Sequence, residues 1–190
     1  MQLLSRYTDN WRLINELTVV WPWKQEEVYF ALEQEKFIGD DRAYCSSPES
    51  PILKELLSNV KNKVPDLLLE MSEQDQFKND TWHLEYREQL LNNTNITCLL
   101  LKDLPGFTTD IHIDSRMTVC SGMLFFNSFD DPTQSTTFYT SATGEEPVRI
   151  SSEYGKGWYS ANTSYSFHCG SNTSSRNRYA VIFTNVLNLK

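Results

Sequence analysis

The sequence predicts a mostly β chain with helices in its first part: an α+β arrangement in which a β-sandwich or jelly roll is covered on one face by helices. Three observations carry this. Capped segments of helical period lie before about residue 95, short β-prone runs separated by turn residues lie after it, and no repeat or low-complexity linker divides the two. A length of 190 residues suits one domain with a substantial core. Within it, residues 1–94 read as a mainly helical support region and 95–190 as the jelly-roll core.

The first helix is expected from Pro22 towards Phe37. Proline suits a first turn, Glu26 and Glu27 follow within it, Val28, Ala31 and Leu32 form an apolar stripe, and Gly39 stands beyond the end. The second starts at the Ser50-Pro51 cap and buries Leu53, Leu56, Leu57 and Val60 on one face. Residues 71–91 are ambiguous, since Trp82, Leu84 and Tyr86 alternate between helical flanks. The expected strands are Ile96–Leu101, Phe107–Asp114, Val119–Phe126, Thr136–Thr140, Val148–Ser152, Trp158–Ala161, Tyr165–Cys169 and Arg178–Val186.

Composition narrows the function. Seventeen basic against 25 acidic residues give a net charge of −8, which weighs against nucleic acid as a partner. Apolar runs stop at a handful of residues, so no membrane span is expected. The opening residues carry neither a charged n-region nor an apolar h-region, which leads to the expectation of a cytoplasmic chain. Its four cysteines (Cys45, Cys98, Cys120, Cys169) are then free thiols. The Asn-x-Ser/Thr triplets at Asn79, Asn92, Asn95, Asn162 and Asn172 follow from an Asn-, Ser- and Thr-rich composition.

The chemistry concentrates around two of three histidines. In Asp110-Ile-His112-Ile-Asp114, period-two alternation places His112 and Asp114 on one face of a strand. His168 lies at the far end of the strand series, and a jelly roll brings such distant strands together. The three side chains would make a two-histidine, one-carboxylate facial set with open positions for non-haem Fe(II). Cys169 points to the opposite face from His168 and is rejected as a ligand. Arg178 heads an apolar strand and shares a face with Ala180 and Ile182; an inward arginine needs an anion, and a carboxylate suits its fork. His83 reads as a surface or packing residue.

The order His112-x-Asp114, His168 and then Arg178, ten residues on, resembles the double-stranded β-helix oxygenases that use Fe(II) and 2-oxoglutarate. Leu124-Phe-Phe-Asn127, Thr136-Thr-Phe138 and Arg178-Tyr-Ala-Val-Ile resemble segments of the prolyl-hydroxylase-like branch. The resemblance covers about residues 95–187. It departs from the branch where Gln134-Ser135 replaces a glycine pair and where Phe125 replaces a tyrosine. It implies that His112, Asp114 and His168 hold Fe(II) and that Arg178 takes the distal carboxylate of 2-oxoglutarate. Arg176 competes for that role, and Tyr139 or Ser121 supplies the assisting hydroxyl. The implied reaction consumes dioxygen, hydroxylates a C–H bond and releases succinate and CO2. A peptidyl proline, another amino-acid side chain or a free amino acid is the implied substrate. The segments Asp75–Leu91 and Phe129–Gln134, expected at the mouth, favour a peptide over a polyanion. Two other classes stay open: a cupin-like divalent-metal binding or isomerase module, and a non-catalytic structural β-sandwich.

Overall fold

A computed structural model describes residues 2–8, 12–18, 21–72, 94–115, 117–127, 133–162 and 166–188, with residues 2–8, 12–18 and Leu187 described through their backbone. In chain order the elements are β1 (Gln2–Thr8), β2 (Arg12–Thr18), α1 (Gln25–Gln34), β3 (Arg42–Cys45), α2 (Pro51–Ser72), β4 (Thr94–Asp103), β5 (Phe107–Thr108), β6 (Thr118–Phe125), β7 (Gln134–Tyr139), β8 (Val148–Ser151), β9 (Lys156–Ala161), β10 (Phe167–Asn172) and β11 (Arg178–Leu187). One antiparallel sheet runs β1-β2-β9-β6-β11-β4-β3 and the other β5-β10-β7-β8.

Both helices lie on the larger sheet. Val28 and Leu32 of α1, and Leu53, Leu56, Val60, Val64, Leu67 and Met71 of α2, are buried against Leu100, Leu124, Tyr159, Val181 and Phe183. The opposite face of the same strands meets the smaller sheet, where Leu101, Met123, Phe125, Trp158 and Ala180 pack on Phe138 and Ile150. β6 is therefore buried on both faces, which explains its continuous apolar run. Burial pushes the Cys120 thiol up to about 12 and the Cys98 thiol up to about 11, so neither is a nucleophile at neutral pH. All four cysteines are free thiols.

Three differences from the sequence reading have physical causes. The described part of residues 1–94 holds strands beside its two helices, because β1, β2 and β3 join the larger sheet at its two ends. Such edge strands are held by backbone pairing to distant partners, β2 to β9 and β3 to β4, which no local period reports. The second helix continues well past the stripe that ends at Val60. It runs through Pro65 to Ser72, because Val64, Leu67, Leu68 and Met71 continue the buried stripe and outweigh the hydrogen bond proline removes. The strand expected over residues 107–114 is regular only at Phe107–Thr108. Residues 75–91 and 129–132, expected to shape the mouth, lie outside the described residues, as does His83. Among the described residues no helix is long and apolar enough to cross a membrane.

The sheet also depends on one close approach. Gly157 of β9 stands opposite Leu124, where a Cβ would strike the Met123 carbonyl oxygen and come within 2.9 Å of the Leu124 Cα. Backbone cannot yield there as a side-chain tip can. Gly157→Ala is expected to lower unfolding free energy in urea by about 1–3 kcal/mol, the usual cost of overpacking.

Candidate metal centre

The centre begins with a backbone irregularity. β5 pairs with β10 in a constant register, Phe107 opposite Asn172 and Thr108 opposite Ser171. Thr109 continues it, its N–H donating to the Gly170 carbonyl at 3.0 Å. The Gly170 N–H donates instead to the Thr109 hydroxyl at 2.8 Å. Pairing then resumes with His112 opposite His168, each N–H donating to the other's carbonyl at 3.0 and 2.8 Å. A constant register would have set Ile111 there. One extra residue has entered the strand between Thr109 and His112, and an odd shift exchanges the two faces. His112 thereby meets His168 with ring centroids 4.5 Å apart.

Asp114 follows two residues later, and other side chains hold it. The Ser121 hydroxyl donates to Asp114 Oδ2 at 2.5 Å. The Asn162 amide donates to the carbonyls of Ser115 and Thr118 at 2.8 and 3.0 Å and approaches that of Asp114 at 3.4 Å. Asp114 Oδ1 stays 3.9 Å from His168 Nε2. One ligand atom each from His112, Asp114 and His168 lies within 4.8 Å of the others.

Both imidazoles are set for ligation. His112 Nδ1 lies 2.8 Å from the Asp110 carbonyl and His168 Nδ1 lies 3.0 Å from the Ser166 carbonyl. A carbonyl only accepts, so each Nδ1 carries the proton and each Nε2 keeps its lone pair. His168 is enclosed by Phe138 and Trp158. Burial holds its pKa below the ordinary imidazole value, against the pull of Asp114, which favours the neutral form a metal needs. His112 is exposed, Asp114 half-buried and His168 buried, so the set lies at the mouth of a small cavity of about 70 Å³ that Trp158 and Thr136 also line. The donor set suits a divalent metal such as Fe(II), and the three residues could hold one.

The other expected residues fall elsewhere. Tyr139 does not join the cavity: on β7 it alternates away from inward-facing Thr136 and Phe138, and its hydroxyl lies 3.4 Å from Cys169 Sγ on the outer side. Ser121 reaches the site, but on the Asp114 carboxylate. Arg178 is fully buried, and the anion it meets is Asp103. Its Nε donates to Asp103 Oδ2 at 2.8 Å, its Nη2 donates to the same oxygen, and its Nη1 donates to the carbonyls of Ser135 at 2.6 Å and Ser171 at 3.1 Å. Four of its five N–H groups are thus committed within the protein. It does not line the cavity, whereas Arg42 of β3 does.

Sequence reasoning missed Arg42, Asp103 and Asn162. Asn162 is visible only as the start of an Asn-x-Ser/Thr triplet, and Asp103 stands two residues beyond the expected Ile96–Leu101 strand. Nothing local links Arg42 to either. The departures from the branch pattern are absorbed structurally: Gln134 donates to the Ser174 hydroxyl at 2.7 Å, and Phe125 is fully buried between the sheets.

No protein-family model matches this sequence, and no curated protein matches it. Solved structures do. The chain is similar to a prolyl-4-hydroxylase from Pseudomonas putida, with a TM-score of 0.61 and 12% identity over 93% of each chain. It is similar to a Trichoplax adhaerens prolyl hydroxylase in complex with a hypoxia-inducible-factor peptide fragment, with a TM-score of 0.56 and 13% identity over 85% of this chain and 74% of that one. A viral collagen prolyl hydroxylase from Paramecium bursaria chlorella virus 1 gives 0.54 and 8% over 91% and 96%. The chain resembles the 2-oxoglutarate and Fe(II) oxygenases in fold, prolyl hydroxylases among them.

Two outcomes test the geometry. Ser121→Ala is expected to weaken Mn(II) affinity about 10–100-fold, measured by titration calorimetry, because outer partners fix a ligand's orientation. Arg178→Met is expected to lower unfolding free energy by about 3–5 kcal/mol, measured in urea, because it breaks a pair whose members are both fully buried.

Proposed function

We propose that this chain is an Fe(II)- and 2-oxoglutarate-dependent dioxygenase that hydroxylates a C–H bond of a peptidyl proline or another amino-acid side chain. The observation that carries the proposal is the trio His112, Asp114 and His168, with both Nε2 lone pairs free and one carboxylate beside them. On this reading the two sheets form a double-stranded β-helix, or jelly roll, within a single domain, and residues 1–94 serve as its support.

Bound Fe(II) and 2-oxoglutarate would together supply the oxidising chemistry, with succinate and CO2 as the co-products. The chain's own residues do the rest. His112 and His168 give lone pairs, and Asp114 offsets one unit of metal charge. Ser121 keeps one Asp114 oxygen engaged, leaving the other for the metal. Phe138 and Trp158 wall the inner side in hydrocarbon, which limits water around His168. The exposed setting of His112 leaves the outer side open to a large substrate. The net charge of −8 favours a peptide or amino acid over nucleic acid.

The test is succinate release from 2-oxoglutarate by the Fe(II)-loaded protein, with proline-containing peptides, free amino acids and short oligonucleotides as separate panels. Stimulation by peptides or amino acids is expected, with His112→Ala, Asp114→Ala and His168→Ala each reducing turnover to background while the fold is retained. Stimulation by oligonucleotides alone would reject the substrate class, and wild-type turnover by His168→Ala would reject the ligand set.

A further inference from the structure

One rung of the larger sheet carries charge across three neighbouring strands. Asp103 of β4 stands opposite Arg178 of β11 on one side and Arg42 of β3 on the other. Directly opposite residues share a face, so all three side chains project from one side of the sheet. Asp103 and Arg178 are fully buried, and the Arg42 side chain is 20% exposed. Two guanidinium groups share one carboxylate, which leaves one net positive charge in the wall of the cavity. Buried charge of this kind calls for a counter-ion.

The hydrogen bonds show which arginine can receive it. Arg178 is committed to Asp103 and to two carbonyls. Arg42 spends Nε on Asp103 Oδ1 at 2.6 Å and Nη2 on Oδ2 at 3.1 Å. A guanidinium has five N–H groups, so among the described residues three remain without a partner, including both on Nη1. Phe107 lies under the group, 4.1 Å from the ring centroid, and fixes its plane. Gly170 leaves the group room, since a Cβ there would lie 3.2 Å from Arg42 Nη2 and 3.1 Å from Arg178 Nη2.

Gly170 is also two residues from the ligand His168 on β10, and both line the cavity. Two residues along a strand span about 7 Å. An extended five-carbon dicarboxylate covers that distance. Charge agrees with length: a divalent cation held by one carboxylate keeps one positive charge, the rung supplies another, and a dianion cancels both.

We propose that Arg42, rather than Arg178, is the direct partner of the distal carboxylate of a dicarboxylic keto acid bound at the centre, and that Asp103 and Arg178 hold Arg42 in place. This rests on the dioxygenase reading above. The anchor comes from β3, a short edge strand, and the arginine on the apolar strand β11 becomes its structural support.

The test is titration calorimetry of the Mn(II)-loaded protein with 2-oxoglutarate and with 2-oxobutyrate, which lacks the distal carboxylate. Wild-type protein should prefer the dicarboxylate about ten- to hundredfold, the worth of a charge-assisted hydrogen-bonded pair. Arg42→Met should abolish that preference with little change in thermal midpoint. Arg42→Lys keeps the charge, loses the fork and should retain only part of it. A preference unchanged in both variants would overturn the assignment while leaving the dioxygenase reading standing. Absence of 2-oxoglutarate binding to the wild-type protein would overturn both. A merely structural Arg42 would lower the thermal midpoint and leave the ratio of the two affinities unmoved, which also counts against the proposal.

Discussion

Two backbone hydrogen bonds, between His112 and His168, set the geometry on which the centre depends. They pin residues 56 apart in sequence directly opposite one another, and they form only because one extra residue enters the strand after Thr109. Without that residue Ile111 would face His168 and His112 would turn away. The surrounding contacts serve the same end. Thr109 takes up the Gly170 N–H that the irregular strand leaves without its ladder carbonyl. Asn162 ties down the turn that follows Asp114, and Ser121 fixes the carboxylate itself. A bulge is a local cost in pairing that re-aims a side chain, and here it re-aims a ligand.

Behind the centre lies a second constraint, the Arg42, Asp103 and Arg178 rung. Burying a guanidinium is unfavourable unless it is paired and hydrogen-bonded, and Arg178 meets that condition with Asp103 and the carbonyls of Ser135 and Ser171. These contacts join β11 of the larger sheet to β7 and β10 of the smaller one. The rung therefore does two things: it fastens the two sheets at one level, and it places surplus positive charge beside three side chains that could hold a cation. Arg42, at the sheet edge, is the member with more donors to offer, three against one for Arg178 among the described residues.

Much of this was legible in the sequence, for identifiable reasons. The eight strands after residue 94 announce themselves through β-branched and aromatic runs between turn residues, and the helix faces through Val28, Leu32, Leu53 and Leu56. His112, Asp114 and His168 were legible because histidine is scarce in this chain and their order resembles a known pattern. Strand alternation over 107–114 predicts that His112 and Asp114 share a face, whereas backbone pairing with His168 across an irregular strand is what aims His112. The β1–β2 hairpin and β3 were hidden because edge pairing leaves little trace in side-chain period. Arg178 shows the limit most clearly. That an inward arginine needs an anion could be read from its position; that the anion is Asp103, brought alongside by a register between β4 and β11, could not.

The central claim is that three residues make one metal centre that takes a keto acid. The most direct measurement is the visible absorbance of the protein under anaerobic conditions as Fe(II) and then 2-oxoglutarate are added. The account predicts a weak charge-transfer band that develops only with both present and is missing from His168→Ala. A wild-type protein that stays colourless, or a His168→Ala protein that develops the same band, would contradict it.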